Sequence, residues 1–162
     1  AEIVTEVEDQ LSVLPDHWIV AGGTGGTAVG IAEGLAGRAH LHVITAVRKK
    51  LIAPTFGEAM SWAESAVADR ITVDDRFHLG GLGKWDRELI SRILEAEAAH
   101  TVPLDPVYTG KAWVAMEEMM DRGEIPGGST VLFVHTGGRA GTMAFEYRFG
   151  ALRGSRGMSN DK

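Results

Sequence analysis

A chain of 162 residues that is 44% hydrophobic can bury a sizeable core and fits a single domain. Its formal net charge of -6 argues against a nucleic-acid partner, because no basic face is evident to offset phosphate repulsion. With no cysteine, disulfides, thiolate metal sites and cysteine nucleophiles are excluded, and with no apolar run of membrane-spanning length the expected setting is the cytoplasm.

The opening segment, Ala1-Glu2-Ile3-Val4-Thr5-Glu6, is acidic and reads as the middle of a helix rather than a signal peptide. It has neither an initiator Met nor an obvious cap, so a processed chain, a subunit or a fragment is expected. Ile3, Val4, Val7, Leu11 and Leu14 recur at helical spacing, which predicts an amphipathic helix ended by Pro15. His17 to Ala21 reads as a short strand, Thr27 to Ala36 as a helix and Leu41 to Val47 as a second strand. A helix is predicted over Phe56 to Asp69, a brief strand at Ile71-Thr72-Val73, and a helix over Trp85 to His100. Gly110 to Arg122 reads as a helix closed by Gly123, and Thr130 to His135 as a further strand. A short helix is expected after the turn at Thr136-Gly137-Gly138, and residues 151–162 read as a flexible tail. Alternating strands and helices predict an α/β fold for residues 1–150, a three-layer open sheet with mostly parallel strands.

In such sheets ligands sit beyond the carboxyl ends of the strands. Three polar turns fall at such ends. The first is Gly23-Thr24-Gly25-Gly26-Thr27, between an apolar strand and a helix. Glycines there let a backbone approach an anion, helix N–H groups and the helix dipole favour negative charge, and two threonines add hydroxyls. The same residues satisfy a loose dinucleotide pattern, with Arg48 placed to meet an NADP 2′-phosphate, and they also suit a tight turn with no ligand. The second turn is Asp105-Pro106-Val107-Tyr108-Thr109-Gly110-Lys111. Tyr108 lies just ahead of a helix and Thr109 is expected at its N-cap. The third is His135-Thr136-Gly137-Gly138. Convergence of three such turns on one pocket says more than any of them singly. His40 and His42 share a strand face, but no third ligand is evident and no metal site is expected.

Asp105-Pro106-Val107-Tyr108-Thr109-Gly110-Lys111-Ala112 and Leu132-Phe133-Val134-His135-Thr136-Gly137-Gly138, with the loop from Ala21 to Gly30 upstream, resemble the C-terminal half of D-cysteine desulfhydrases and 1-aminocyclopropane-1-carboxylate deaminases. Those are pyridoxal 5′-phosphate (PLP) enzymes of the tryptophan-synthase-β type, fold type II. The resemblance implies that Gly23, Thr24, Gly25, Gly26 and Thr27 hold the cofactor phosphate. It implies that Tyr108 flanks the pyridine ring and acts on the substrate's proton or leaving group. Thr109 matches a position that is glutamate in the deaminases, and threonine there looks more like the desulfhydrase branch. Thr136, beside Gly137, is the other candidate partner of the ring nitrogen. The family's Schiff-base lysine and substrate-binding serine lie in its N-terminal half, which has no counterpart in this sequence.

The expected function is therefore β-elimination (C–S cleavage) or deamination of a small amino acid such as cysteine or a cysteine conjugate. A partner polypeptide would supply the lysine, and the fold would be incomplete without it, in a dimer of heterodimers. An NADP-binding half-domain and a non-catalytic scaffold subunit are the competing readings.

Overall fold

The computed structural model describes residues 2–61, 65–138 and 142–143. In chain order they form α1 (Glu2–Leu11), β1 (His17–Gly22), α2 (Gly26–Leu35), β2 (His40–Thr45), α3 (Lys49–Ala59), α4 (Ser65–Ala68), β3 (Ile71–Asp74), α5 (Arg87–His100), α6 (Thr109–Asp121) and β4 (Val131–Val134). The four strands make one parallel sheet in the order β3-β2-β1-β4.

Period-two alternation along the strands sorts their side chains to two faces. Trp18, Val20, Leu41 and Val43 join Val4 of α1 and Ala28, Ile31, Ala32 and Leu35 of α2 in one core. Ile19 and Ile44 join Leu89 and Ile93 of α5 and Ala112, Trp113, Ala115, Met116 and Met119 of α6 in the other. The result is the expected three layers. Residues 109–116 of α6 are buried on every side, as suits a helix wedged between a sheet and a second helix. Arg92 of α5 closes the outer edge of that pair through Glu117 and Glu118 of α6, at 2.9 and 3.0 Å.

The element boundaries shift where local chemistry decides. The helix expected over Phe56 to Asp69 is instead α3, beginning at Lys49, and then the short α4. Pro54 sits inside α3, one turn in, where it forfeits a single backbone hydrogen bond. α5 starts at Arg87 rather than Trp85, because the Asp86 carboxylate caps it by accepting the Leu89 N–H at 2.8 Å. The tail at 151–162 and most of the short helix after Gly138 lie outside the described residues.

The sheet grows from β1 to β2 to β3 in one direction and then places β4 on the far side of β1. The order reverses between β1 and β4, and a crevice opens at their carboxyl ends. That is where α/β sheets of this kind bind ligands. The other ends of the same two strands are stapled together. Asp16 Oδ2 accepts the Thr130 N–H and hydroxyl, both at 2.8 Å, and the Asp16 N–H donates to Thr130 Oγ1 at 3.0 Å.

Gly110 decides how closely α6 meets α5. A Cβ there would lie 2.3 Å from Ile93 Cδ1 and 2.7 Å from the Asp105 carbonyl oxygen. Gly110→Ala is expected to destabilise the fold by about 2 kcal/mol in urea unfolding. Adding Ile93→Ala should restore none of that, because the backbone clash with Asp105 remains and a cavity is added.

Candidate active site

The crevice between β1 and β4 holds a cavity of about 390 Å³. All nine residues singled out from the sequence line it: Gly23, Thr24, Gly25, Gly26 and Thr27 after β1, Tyr108 and Thr109 before and at the start of α6, and Thr136 and Gly137 after β4. Segments more than a hundred residues apart thus meet around one volume.

The floor is the N-terminus of α2. Its cap, Gly25, is left-handed (φ 93°), and a Cβ there would come within 2.8 Å of the Phe56 ring of α3. The first backbone bond of the helix runs from the Val29 N–H to the Gly25 carbonyl at 2.9 Å. The N–H groups of Gly26, Thr27 and Ala28 precede that bond, so they have no partner within the helix. Around Gly26 the space is open: a Cβ built there meets nothing within 4 Å. N–H groups without a partner in the helix, a helix dipole and free room suit this end of α2 to receive an anion.

The wall is the segment from Asp105 to Thr109. The N-cap is Tyr108, not Thr109 as the residue pattern predicts, and Tyr108 makes no side-chain cap bond. Asp105 performs the capping. Its Oδ1 accepts the N–H groups of Val107 and Tyr108, each at 2.8 Å, and its Oδ2 accepts the Thr109 N–H at 3.0 Å. The Thr109 hydroxyl also donates to Oδ2 at 2.7 Å and accepts the Asp105 N–H at 2.9 Å. Thr109 is therefore buried with its proton already committed. The signal was available in the sequence: an Asp four residues ahead of a threonine, across a proline, can fold back as an extended cap.

Tyr108 is half-exposed and lays its ring against Gly23, with ring carbons 3.5 and 3.9 Å and the hydroxyl 3.9 Å from the position of a Cβ on Gly23. The opposite side is the turn after β4. There Nε2 of His135 hydrogen-bonds the Pro103 carbonyl at 2.7 Å, and Gly138 abuts Asp105 and Thr109. Thr136 is exposed and has no such ties to Asp105.

Two groups of basic side chains fall away from this cavity. Arg48 and Lys50 are exposed at the start of α3 and do not line it. His40 and His42 share a face, as expected, and they stack with a third histidine, His17. His17 and His42 are bonded through Nδ1 and Nε2 at 3.0 Å, and the three rings lie 5.1 to 6.3 Å apart. His17 and His40 open β1 and β2, His42 follows two residues further along β2, and none of the three lines the cavity. The signal for His17 was its place opposite His40 in register, which only the sheet order reveals.

The profile of the pyridoxal-phosphate dependent enzyme family matches residues 1–137. A candidate 1-aminocyclopropane-1-carboxylate deaminase of Pyrococcus horikoshii is 31% identical over 159 residues, covering 88% of this chain and 45% of its own length. A 1-aminocyclopropane-1-carboxylate deaminase of Pseudomonas syringae pv. syringae is 29% identical, covering 92% and 47%. The crystal structure of an ACC deaminase homologue superposes with a TM-score of 0.71 at 28% identity, covering 91% of this chain and 47% of that one. The chain spans about half the length of the relatives it matches.

Proposed function

The chain belongs to the pyridoxal-phosphate dependent enzyme family, and on that footing we propose that it forms the phosphate-holding half of a lyase or deaminase acting on a small amino acid such as cysteine. The observation that carries this reading is the cavity at the β1–β4 reversal, with an anion cradle on one side and an aromatic hydroxyl on the other. In it, the N–H groups at the start of α2 and the hydroxyls of Thr24 and Thr27 hold the phosphate of PLP. Bound PLP supplies an electron sink for a carbanion beside the amino acid's nitrogen. Tyr108 presents its ring along one side of that space and its hydroxyl as the group that moves a proton at the substrate or leaving group.

The ring nitrogen falls to Thr136 in this reading, because the Thr109 proton is taken by Asp105. A neutral hydroxyl supports a weaker sink than a carboxylate would, which suits expulsion of a good leaving group such as a thiolate better than opening of a carbon ring. Cysteine plus water would give a 2-oxo acid, ammonia and sulfide.

The covalent lysine comes from a partner chain in this proposal. Among the described residues Lys50 and Lys84 are exposed, Lys111 is bonded to backbone carbonyls, and no lysine lines the cavity.

The direct test uses 4′-deoxypyridoxine 5′-phosphate, which lacks the aldehyde and cannot react with surface lysines. It should bind this chain at least 100-fold tighter than 4′-deoxypyridoxine, as a phosphate cradle requires. Equal affinities for the two, or binding of NADPH in its place, would overturn the reading. In the complex with a lysine-bearing half, Tyr108→Phe should lower kcat by about 100-fold and leave cofactor affinity within about threefold. That outcome separates a proton-moving hydroxyl from a ring that only fills space, and an unaffected kcat would favour the scaffold reading.

A further inference from the structure

Lys111 is the third residue of α6 and is 1% exposed. An ammonium so deeply placed is expensive unless something compensates it. No carboxylate of the described residues lies within ion-pair distance of it. Nζ instead donates to the carbonyls of His78, at 3.1 Å, and Gly81, at 3.3 Å. Burial pushes its pKa down, against the opposing pull of Asp105 and Asp86.

The two carbonyls belong to the loop that follows β3. That loop runs left-handed at Leu79 and at glycines 80, 81 and 83, and it turns its backbone inward while Leu79 and Leu82 face solvent. His78 O also accepts the Gly81 N–H at 2.9 Å, and Gly81 O the Lys84 N–H at 3.1 Å. The ammonium thus grips the same two oxygens that define the loop's own turns. Through it, a loop leading away from β3 is fastened to the first turn of α6. That turn begins one residue after Tyr108 and contains Thr109, both of which line the cavity.

A methionine or leucine would fill this space without the cost of a buried charge, so packing alone does not call for lysine. We propose that Lys111 is a positioning residue of the cavity: its grip on the His78 and Gly81 carbonyls fixes the first turn of α6 and holds Tyr108 against Gly23. The part concerning the cofactor rests on the PLP reading above.

The experiment compares the wild-type chain with Lys111→Met and with Lys111→Ala, by amide hydrogen exchange and by binding of 4′-deoxypyridoxine 5′-phosphate. In Lys111→Met, exchange should accelerate at residues 79–84 and 108–112 and stay unchanged in β1 and β2, while Kd rises about tenfold. Propylammonium should restore the affinity of Lys111→Ala, and propanol should not. A Kd within twofold of wild type would overturn the proposal. So would a general rise in exchange that reaches β1 and β2, or failure of both variants to fold, since either would mark Lys111 as core only. If the wild-type chain itself fails to bind the probe, the PLP reading falls, and the exchange pattern alone decides whether the grip exists.

Discussion

Asp105→Ala is expected to cost about 4 kcal/mol of stability, measured by urea unfolding. A single carboxylate there accepts three backbone N–H groups and one hydroxyl. Truncation leaves the buried Thr109 N–H without an acceptor and strips the start of α6 of its cap. Asp105→Asn should cost about half as much. Its amide oxygen can still take the Val107 and Tyr108 N–H groups, while its amide nitrogen faces the Thr109 N–H donor to donor. The order of the two variants is the informative result. Equal losses would mean that the side chain acts through packing and not through its two oxygens. The same substitutions should weaken binding of 4′-deoxypyridoxine 5′-phosphate, since Tyr108 and Thr109 are the residues set free.

The second large effect is expected from pH. His42 is 6% exposed, and burial followed by the charges of His17 and His40 lowers its pKa from 6.5 to about 4. Its Nδ1 is buried without a hydrogen-bond partner. His17 and His40 are lowered as well, chiefly by burial. Arg70 donates to His40 Nε2 at 2.6 Å, which requires that nitrogen to be unprotonated. Facing the group from β3 and from beyond α6 are Asp74 and Glu124, whose carboxylates Arg76 already binds. The unfolded chain binds a proton at His42 below about pH 6.5 and the native chain only below about pH 4. The stabilisation is therefore complete above the first value, falls as pH drops between the two, and changes no further below the second. The loss amounts to about 3 kcal/mol. His42→Leu should shrink the difference in unfolding free energy between pH 7 and pH 4.5 by about 2 kcal/mol, leaving the share that His17 and His40 contribute. An unchanged difference would show that the acid sensitivity lies with other groups.

The sequence made much of this architecture legible, for identifiable reasons. β1 is an apolar run bounded by turns, β2 carries β-branched residues through Val43-Ile44-Thr45, and α6 is closed by Gly123, left-handed at φ 68°. The three polar turns were readable as one pocket because strand ends in a parallel sheet share an edge. What stayed hidden depends on contacts between distant segments. No local pattern tells that Lys111 points into the interior, since a lysine in the first turn of a helix is ordinarily solvated. The start of α3 was obscured by Pro54, which reads as a breaker, and by Arg48-Lys49-Lys50, which oppose the helix dipole at an N-terminus. The exchange of capping duty between Thr109 and Asp105 follows from a fold-back that residue preferences alone do not rank.

The reversal of strand order also fixes when the cavity comes into being. β1, β2 and β3 are joined by local crossovers, whereas β4 pairs with β1 across a separation illustrated by Asp16 and Thr130, 114 positions apart. Closing so long a loop is entropically unfavourable until the final strand docks. The turn at Thr136 therefore joins the site only when β4 pairs with β1, and without that pairing the crevice at the start of α2 lacks one wall.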